Sequence, residues 1–289
     1  MSASKYQVLL RVVELGSVTR AAEELGYTQS GVSHIISGLE NELQLVLLHR
    51  SRNGVTLTDA GRRLLPHMRA VVREDEALRQ TAASIRGLKE GTLRLGAFSS
   101  VSVSWLPAIL KAFSEAEPGI DIRLSNGDYH DIDGWLADGT VDLAFVTLPR
   151  AGDGQVIPLK DDPLMVILPK DHPLAGLEAF PIRQLESEPF ISLLESSSHD
   201  TQRVLQGHNL HLKTRFTTKD DYALISMVEN GLGISIVPKL LLRGLEDRVA
   251  AIPPETHIKR TIALALPENP TPAALCLAAF ISDWVSKNA

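Results

Sequence analysis

The spacing of apolar residues changes once along this chain, near Gly91, and that change limits the folds it can adopt. Before Gly91 the apolar residues recur at helical spacing, whereas after it short apolar runs alternate with helical stretches. Strands that alternate with helices predict a mostly parallel sheet with helices on both faces. The sequence therefore predicts a helical N-terminal region followed by an α/β domain.

Size and composition are those of an ordinary globular protein. The chain has 289 residues, enough for two or three units that each bury a core. No apolar run approaches the ~18 residues that span a bilayer, and no export signal is found at the N-terminus, so a cytoplasmic location without a membrane partner is expected. The net charge of −6 disfavours non-specific coating of nucleic acid, which needs a broad positive field. Any contact with DNA is expected to be local.

Three short helices are predicted near the N-terminus, with Ser4, Ser17 and Thr28 as their caps. The apolar residues of the third helix recur on one side. Its other side carries polar residues, namely Gln29, Ser30, Ser33 and His34. Glutamine pairs with adenine through two hydrogen bonds, and serine can bond several base edges. A helix, a short turn and a second helix of this kind fit the major groove of DNA.

Basic and hydroxyl side chains flank this polar face. Thr19, Arg20 and Thr28 are expected where the backbone of a duplex would pass. Residues 49–57 predict a hairpin-like wing, and its tip carries Arg50 and Arg52. Arginines at such a tip are well placed for phosphate contacts.

A solvated helix surface is the alternative to a DNA-binding face. Residues 1–60 contain five basic and six acidic side chains, so their net charge alone does not favour DNA binding. Their arrangement is more informative. Glu23, Glu24 and Glu40 fall away from the polar face, whereas the arginines can flank it.

The run from Gly16 to Glu40 resembles the signature of LysR-type transcriptional regulators. The matching positions are Ser17, Thr19, Arg20, Ala21, Ala22, Leu25, Thr28, Gln29, Ser30, Val32, Ser33 and Leu39, and Arg50, Leu57, Thr58, Ala60 and Gly61 extend the match. The sequence departs from the family pattern at Gln44, Val46 and Leu48, where Gly, a turn-forming residue and Phe are common. The resemblance implies a winged helix-turn-helix DNA-binding domain over residues 1–58, a linker or dimerisation helix over 59–90 and an effector-binding domain over 91–289.

A long helix is predicted from about Asp59 to Leu88, with Pro66 bending its first turns. Apolar residues follow a spacing of four and three along it, interrupted only at Asp75. They are Leu64, Met68, Val71, Leu78, Ala82 and Ile85. Such a stripe needs a partner, which is either the chain's own C-terminal domain or a second subunit. The resemblance implies the second alternative, a homodimer that in many relatives assembles into a homotetramer.

The resemblance also implies a C-terminal domain of two α/β lobes, similar to periplasmic solute-binding proteins. The first lobe would comprise about residues 91–161 and 267–289, and the second about residues 162–266. Ligands of open α/β sheets bind at the carboxyl ends of strands, so a small-molecule effector is expected in the crevice between the lobes. Many relatives sense carboxylates, which makes a carboxylate one candidate class of effector.

Candidate effector contacts are small polar side chains at strand-to-helix turns, where free backbone amides converge. From the first lobe they are Ser99, Ser100, Ser102, Asp128, Tyr129 and Thr147. Ser196, Ser197 and Ser198 would face them from the second lobe. Ser99 and Ser100 have the strongest support, because the family's ligand site matches there.

An enzyme is the main rival class, and a free-standing solute-binding protein is a weaker one. The sequence has no paired-histidine motif, phosphate loop or nucleophile elbow, and Cys276 is its only cysteine. One polar cluster resembles a metal site, but a loop and helix cap explain it better. It consists of Asp128, His130, Asp131 and Asp133. We therefore predict a non-enzymatic regulator without metal or cofactor, which binds promoter DNA and an effector, with RNA polymerase as a further candidate partner.

Overall fold

The computed structural model describes residues 4–51, 54–86, 90–193 and 210–289. The chain forms two compact units, one within residues 1–91 with 137–140 and one within residues 92–136 with 141–289. Each unit buries its own hydrophobic core. None of the helices described combines the length and the apolar character needed to cross a membrane.

The first unit contains three short helices, a two-stranded wing and one long helix. In chain order these are α1 (Lys5–Leu15), α2 (Val18–Leu25), α3 (Gln29–Leu43), β1 (Leu48–Ser51), β2 (Gly54–Leu57) and α4 (Asp59–Ile85). The predicted caps are confirmed, because the side-chain oxygens of Ser4, Ser17 and Thr28 each accept a bond from an amide in the first turn of their helix. These bonds satisfy amides that a helix start leaves without partners.

The wing is fixed to the helices by close backbone contacts. The amide of Val55 donates to the carbonyl of Gly16 at 2.9 Å. A Cβ atom at Gly54 would lie 2.8 Å from that carbonyl oxygen, and Gly54 has a φ of +118°, so both sterics and backbone favour glycine there. At the other end of the wing, Thr58 Oγ1 donates to the carbonyl of Val46 at 2.7 Å. These contacts set the position of the wing relative to α1 and α3.

The apolar stripe of the long helix divides into two parts. Met68 is only 4% exposed and belongs to the core of the first unit. Farther along, Val71, Leu78 and Ile85 are 49%, 69% and 82% exposed. The helix α4 ends at Ile85, and the last residues of the predicted helix, 87 and 88, lie outside the described part of the chain. Its second half therefore carries apolar residues that the described chain does not cover.

The second unit alternates strands and helices, as the sequence predicts. Its elements are β3 (Gly91–Ala97), α5 (Ser99–Ser104), α6 (Leu106–Ala116), β4 (Ile120–Asn126), α7 (Tyr129–Asp138), β5 (Leu143–Leu148), β6 (Gln155–Leu168), β7 (Pro189–Leu193), β8 (Lys213–Thr218), α8 (Asp221–Glu229), β9 (Ser235–Pro238), β10 (Ala250–Ile252), β11 (Lys259–Leu266) and α9 (Pro272–Asn288). Short 3-10 helices cover Ile182–Glu186 and Lys239–Leu242.

The main sheet is mixed rather than mostly parallel. Its strand order is β10, β6, β11, β5, β3, β4, with β9 also paired to β6. The strands β3 and β5 are parallel, and so are β7 and β8 in a separate sheet. In contrast, β11 is antiparallel to β5 and β6, and β9 and β10 are antiparallel to β6. The expectation of a mostly parallel sheet is therefore wrong for the strands around β6.

Two strands carry the chain between the lobes of the second unit. Residues 155–163 of β6 pair with β11, and residues 164–167 continue into the second lobe beside β9. Residues 261–265 of β11 lie beside β5, in the first-lobe sheet. The return to the first lobe is thus corrected from about residue 267 to about residue 259. The correction follows from strand pairing, which the apolar pattern of β11 does not reveal.

Candidate DNA-binding face and effector site

The polar side of α3 is open to solvent in the first unit. The side chains of Gln29, Ser30 and His34 are exposed, and so are Thr19, Arg20 and Thr28 beside them. Thr28 Oγ1 accepts the amide of Gly31 at 3.1 Å and lies 3.1 Å from Ser30 Oγ. The cap therefore holds the first turn of α3 in place while its outward side chains remain accessible.

The wing contacts the same helix through one side-chain bond. Arg50 Nη1 donates to Ser33 Oγ of α3 at 3.3 Å, and Ser33 is half-buried. Arg50 itself is exposed. Arg52 lies outside the described residues. Helix α3 and the wing thus form one continuous polar surface, which we call the α3 face.

Acidic side chains near α3 are engaged in contacts of their own. Glu40 Oε1 accepts the amides of Leu47 and Leu48 at 2.7 and 3.2 Å, so it holds the turn that leads into the wing. Glu24 forms an ion pair with Arg11, and the hydrogen bond that Arg11 donates to Glu24 raises the pKa of the Arg11 guanidinium. Glu24 is therefore paired with a cation and Glu40 is bonded to the backbone, whereas Arg20 and Arg50 are exposed at the α3 face.

In the second unit, the predicted serines lie in a short helix rather than in a turn. Ser99, Ser100 and Ser102 belong to α5, which follows directly on β3. Ser100 is buried, and Ser102 Oγ is a buried atom for which the described residues provide no hydrogen-bond partner. The side chain of Ser100 and the hydroxyl oxygen of Ser102 are therefore shielded from solvent.

Arg260 joins two of the predicted residues and was missed by the sequence analysis. Its Nη2 donates to Ser100 Oγ at 2.6 Å, and its Nη1 donates to the hydroxyl of Tyr129 at 2.5 Å. Its Nε and Nη2 also donate to Asp162 Oδ2 at 3.0 and 2.7 Å. Arg260 is 2% exposed and lies over the ring of Phe98, 4.9 Å from its centroid. A buried guanidinium needs such partners, because an unpaired charge would be costly there.

Asp221 adds a second carboxylate to this cluster. Burial at the start of α8 raises the pKa of the Asp221 carboxyl, while a hydrogen bond with Ser99 and the charge of Arg260 oppose the rise. Asp220 raises it further by charge repulsion. We refer to the group that surrounds the guanidinium as the Arg260 cluster. It comprises Ser99, Ser100, Tyr129, Asp162, Asp221 and Arg260.

The remaining predicted contacts are more dispersed. Asp128 caps α7, since its Oδ1 accepts the amide of Asp131 at 2.8 Å and its own amide donates to Asp131 Oδ2 at 3.1 Å. Thr147 is 9% exposed and lines, with Tyr129, a small cavity of about 70 Å³. Ser196, Ser197 and Ser198 lie outside the described residues. In the described part of the chain, His, Cys, Asp and Glu side chains form no group of three or more that could hold a metal ion.

Two family models together match nearly the whole chain. The model for "Bacterial regulatory helix-turn-helix protein, lysR family" matches residues 4–62, and the "LysR substrate binding domain" matches residues 86–286. Among curated relatives, the chain is 33% identical over 273 residues to "Uncharacterized HTH-type transcriptional regulator YvbU" of Bacillus subtilis, with 92% of each chain covered.

Solved structures agree with this assignment at the level of the fold. A full-length OxyR variant from Pseudomonas aeruginosa superposes with a TM-score of 0.78 at 22% identity, covering 99% of this chain and 94% of that chain. Full-length CbnR complexed with its target DNA has a TM-score of 0.67 at 20% identity, covering 97% and 98%. Together with the α3 face and the two-lobed second unit, these matches show that the chain belongs to the LysR family of transcriptional regulators, which combine a helix-turn-helix DNA-binding domain with an effector-binding domain.

Proposed function

We propose that the chain binds promoter double-stranded DNA as a homo-oligomer through the α3 face. The observation that carries this proposal is the exposed polar surface of α3 beside Arg20 and Arg50, with Glu24 and Glu40 engaged in other contacts. Base edges are contacted from α3, by Gln29, Ser30, Ser33 and His34. Phosphates are contacted by Thr19, Arg20, Thr28, Arg50 and Arg52. The complex of CbnR with its target DNA supports this role, because the two chains share a fold.

Effector binding takes place at the Arg260 cluster, between the two lobes of the second unit. Ser99, Ser100 and Tyr129 are the central contacts because Arg260 and Asp221 hold them together. Ser102, Asp128 and Thr147, and Ser196, Ser197 and Ser198 from the second lobe, complete the candidate set. A small carboxylate remains the proposed class of effector. It would accept hydrogen bonds from the guanidinium and the hydroxyls.

The chain acts in the cytoplasm as a regulator rather than as an enzyme, and it contacts RNA polymerase at the promoters that it controls. Two matches support this role. The first unit matches a DNA-binding family model, and 92% of the chain aligns with a transcriptional regulator. The domain division that we propose remains residues 1–58 for DNA binding, 59–90 for the linker and 91–289 for the effector.

The DNA-binding proposal is tested with gel shifts on DNA upstream of the chain's own gene. Gln29→Ala combined with His34→Ala removes two exposed side chains of α3, and we expect it to weaken specific binding by about 10-fold to 100-fold. Lys111→Ala, an exposed position on α6 in the second unit, is the matched control and should leave the affinity unchanged. Equal binding by the double variant and the control would contradict the role of α3.

The effector proposal has its own test. Ser99→Trp fills the space beside Asp221 and Arg260, and it should abolish the change in DNA binding that metabolites cause while the basal DNA affinity stays the same. Carboxylate metabolites are added one at a time to the same gel shift. If metabolites still change the DNA binding of the Ser99→Trp protein, the effector does not bind at the Arg260 cluster.

A further inference from the structure

A large cavity lies in the second unit beside the Arg260 cluster, with which it shares Asp162. It has a volume of about 860 Å³, within the range of ligand sites of proteins. We call it the β6 cavity, because Lys160, Pro163 and Met165 of that strand line it. The wall opposite is formed by the 3-10 helix Lys239–Leu242 and by Trp105. Both charged and apolar side chains therefore line the β6 cavity.

A shared wall separates this cavity from the Arg260 cluster. Asp162 Oδ2 accepts the bonds of Arg260, whereas its Oδ1 accepts the amide of Leu240 at 2.9 Å. Ser104 Oγ donates to the carbonyl of Leu240 at 2.9 Å, which closes the wall between α5 and the 3-10 helix. The cavity lining does not include Ser99, Ser100 or Tyr129. The β6 cavity is thus a different site from the proposed effector site.

The cationic side chains of the lining are available to a ligand. Lys160 and Lys239 are exposed, and neither forms an ion pair within the described part of the chain. Arg243 donates to the backbone carbonyl of Ser104 at 3.0 Å, and its charge helps to lower the pKa of Glu246. The lining therefore contains three cationic side chains, Lys160, Lys239 and Arg243.

The acidic side chains of the lining are already engaged. Asp161 is bound by Lys259 and by Thr261, and these bonds lower its pKa. Asp162 is bound by Arg260, as described above. Backbone amides of residues 244–246 bond the carboxylate of Glu246 and lower its pKa. A ligand in the cavity would therefore meet lysine ammonium groups more readily than free carboxylates.

We propose that the β6 cavity is a second ligand site, which takes a small organic acid with an apolar body. The carboxylate lies between Lys160, Lys239 and Arg243, and the apolar body packs against Trp105, Met165 and Leu242. This ligand is additional to the effector, because none of the described candidate effector contacts lines the β6 cavity. The protein would then bind two different small molecules, one at the Arg260 cluster and one in the β6 cavity.

Calorimetric titration of the full-length protein with 4-phenylbutyrate tests this site, with 4-phenylbutanamide as the uncharged ligand of equal shape. We expect one acid molecule to bind per chain, and the amide to bind at least about tenfold more weakly because it lacks the charge. Equal affinities of the acid and the amide, or no binding of the acid at millimolar concentration, would overturn the proposal.

Variants assign the binding to this cavity. Lys160→Gln with Lys239→Gln should weaken binding of the acid about tenfold, and Lys111→Gln, a matched lysine variant on α6, should leave it unchanged. Ser99→Trp separates the two sites, because it should leave this binding intact. Loss of acid binding in Ser99→Trp, with no effect of the lysine variants, would show that the acid occupies the Arg260 cluster instead. The titration contains no DNA, so its outcome is independent of the DNA-binding proposal.

Discussion

Gln44 occupies a backbone conformation that favours glycine. It ends α3 with a φ of 54°, and it is the one residue other than glycine with a positive φ among those described. Left-handed backbone costs an L-residue about 1–2 kcal/mol, which the side-chain bond from Gln44 Nε2 to the carbonyl of Asn41 at 2.6 Å offsets in part. The departure from the family pattern noted at this position therefore has a structural cost.

We expect Gln44→Gly to stabilise the first unit by up to about 1 kcal/mol, since the relief of strain exceeds the added entropy of the unfolded chain. Urea unfolding followed by circular dichroism measures the change. Ser37→Gly, an exposed position inside α3, is the control and should destabilise by about 0.5 kcal/mol. If Gln44→Gly lowers the free energy of unfolding as much as Ser37→Gly does, the backbone at Gln44 is not strained.

Asp221 should make stability depend on pH. Burial raises its pKa in the folded protein, so the folded state holds the proton more tightly than the unfolded chain does. Stability from this group is therefore lost as pH rises from the ordinary carboxyl value through the raised one. Asp221→Asn stays neutral, and we expect it to gain stability relative to the original protein as pH rises from the ordinary carboxyl value toward neutrality. Melting temperatures across this range measure the difference.

Glu229, at the other end of α8, provides a control of opposite sign. Arg248 lowers the pKa of the Glu229 carboxyl, so the stability that Glu229 provides is present above the ordinary carboxyl value and is lost as pH falls. Glu229→Gln should therefore be less stable than the original protein at neutral pH, and the deficit should disappear in acid. If the melting temperatures of Asp221→Asn and the original protein change equally with pH, the pKa of Asp221 is not raised in the folded protein.

At this scale the sequence is informative where interactions are local. The caps Ser4, Ser17 and Thr28 bond amides within their own first turns, so residue type and spacing suffice to predict them. The Arg260 cluster could not be predicted in this way. Arg260 meets Asp162 and Ser100 across separations of 98 and 160 residues. The local signal was a pair of basic residues, Lys259 and Arg260, at the start of a strand that is apolar from Ile262 onward.

At the scale of elements, the apolar stripe of α4 has a buried part at Met68 and an exposed part farther along the helix. Sequence spacing identifies the stripe correctly, but it does not distinguish Met68, which packs in the first unit, from Val71 and Leu78, which are exposed. The length of β6 and the antiparallel pairing of β11 were missed for a similar reason, because strand partners distant in sequence decide both. Helix α5 was missed because its six residues are serine and valine, which are weak helix formers.

The exposed half of α4 is the proposed dimer contact. Val71→Arg with Leu78→Arg places two charges where apolar residues would be buried, and we expect the dimer dissociation constant to rise at least about 100-fold. Met68 is unsuitable for this test, since arginine there would disrupt the core of the first unit. Light scattering measures the mass, and Leu177→Arg, at an exposed leucine outside the helix, is the control. A double variant that stays dimeric would exclude α4 as the contact.

At the scale of the whole molecule, an acidic protein is proposed to bind a polyanion. The net charge of −6 repels DNA at long range, so affinity has to come from the few cations of the α3 face. Salt dependence counts such contacts, because each phosphate that is neutralised releases counterions. The number of contacts is therefore accessible without a structure of the complex.

Arg20 and Gln29 should differ in this measurement although both are exposed on the α3 face. Arg20→Ala removes a proposed phosphate contact, so we expect weaker binding to every sequence and a slope of log affinity against log salt that is smaller by about one. Gln29→Ala removes a base contact, which should cost about 1–3 kcal/mol on the preferred site and leave the slope unchanged. Fluorescence anisotropy at several salt concentrations distinguishes them, with Arg123→Ala on β4 as the control. If Arg20→Ala has the same slope as this control, Arg20 does not contact the DNA backbone, and the orientation proposed for α3 in the groove is wrong.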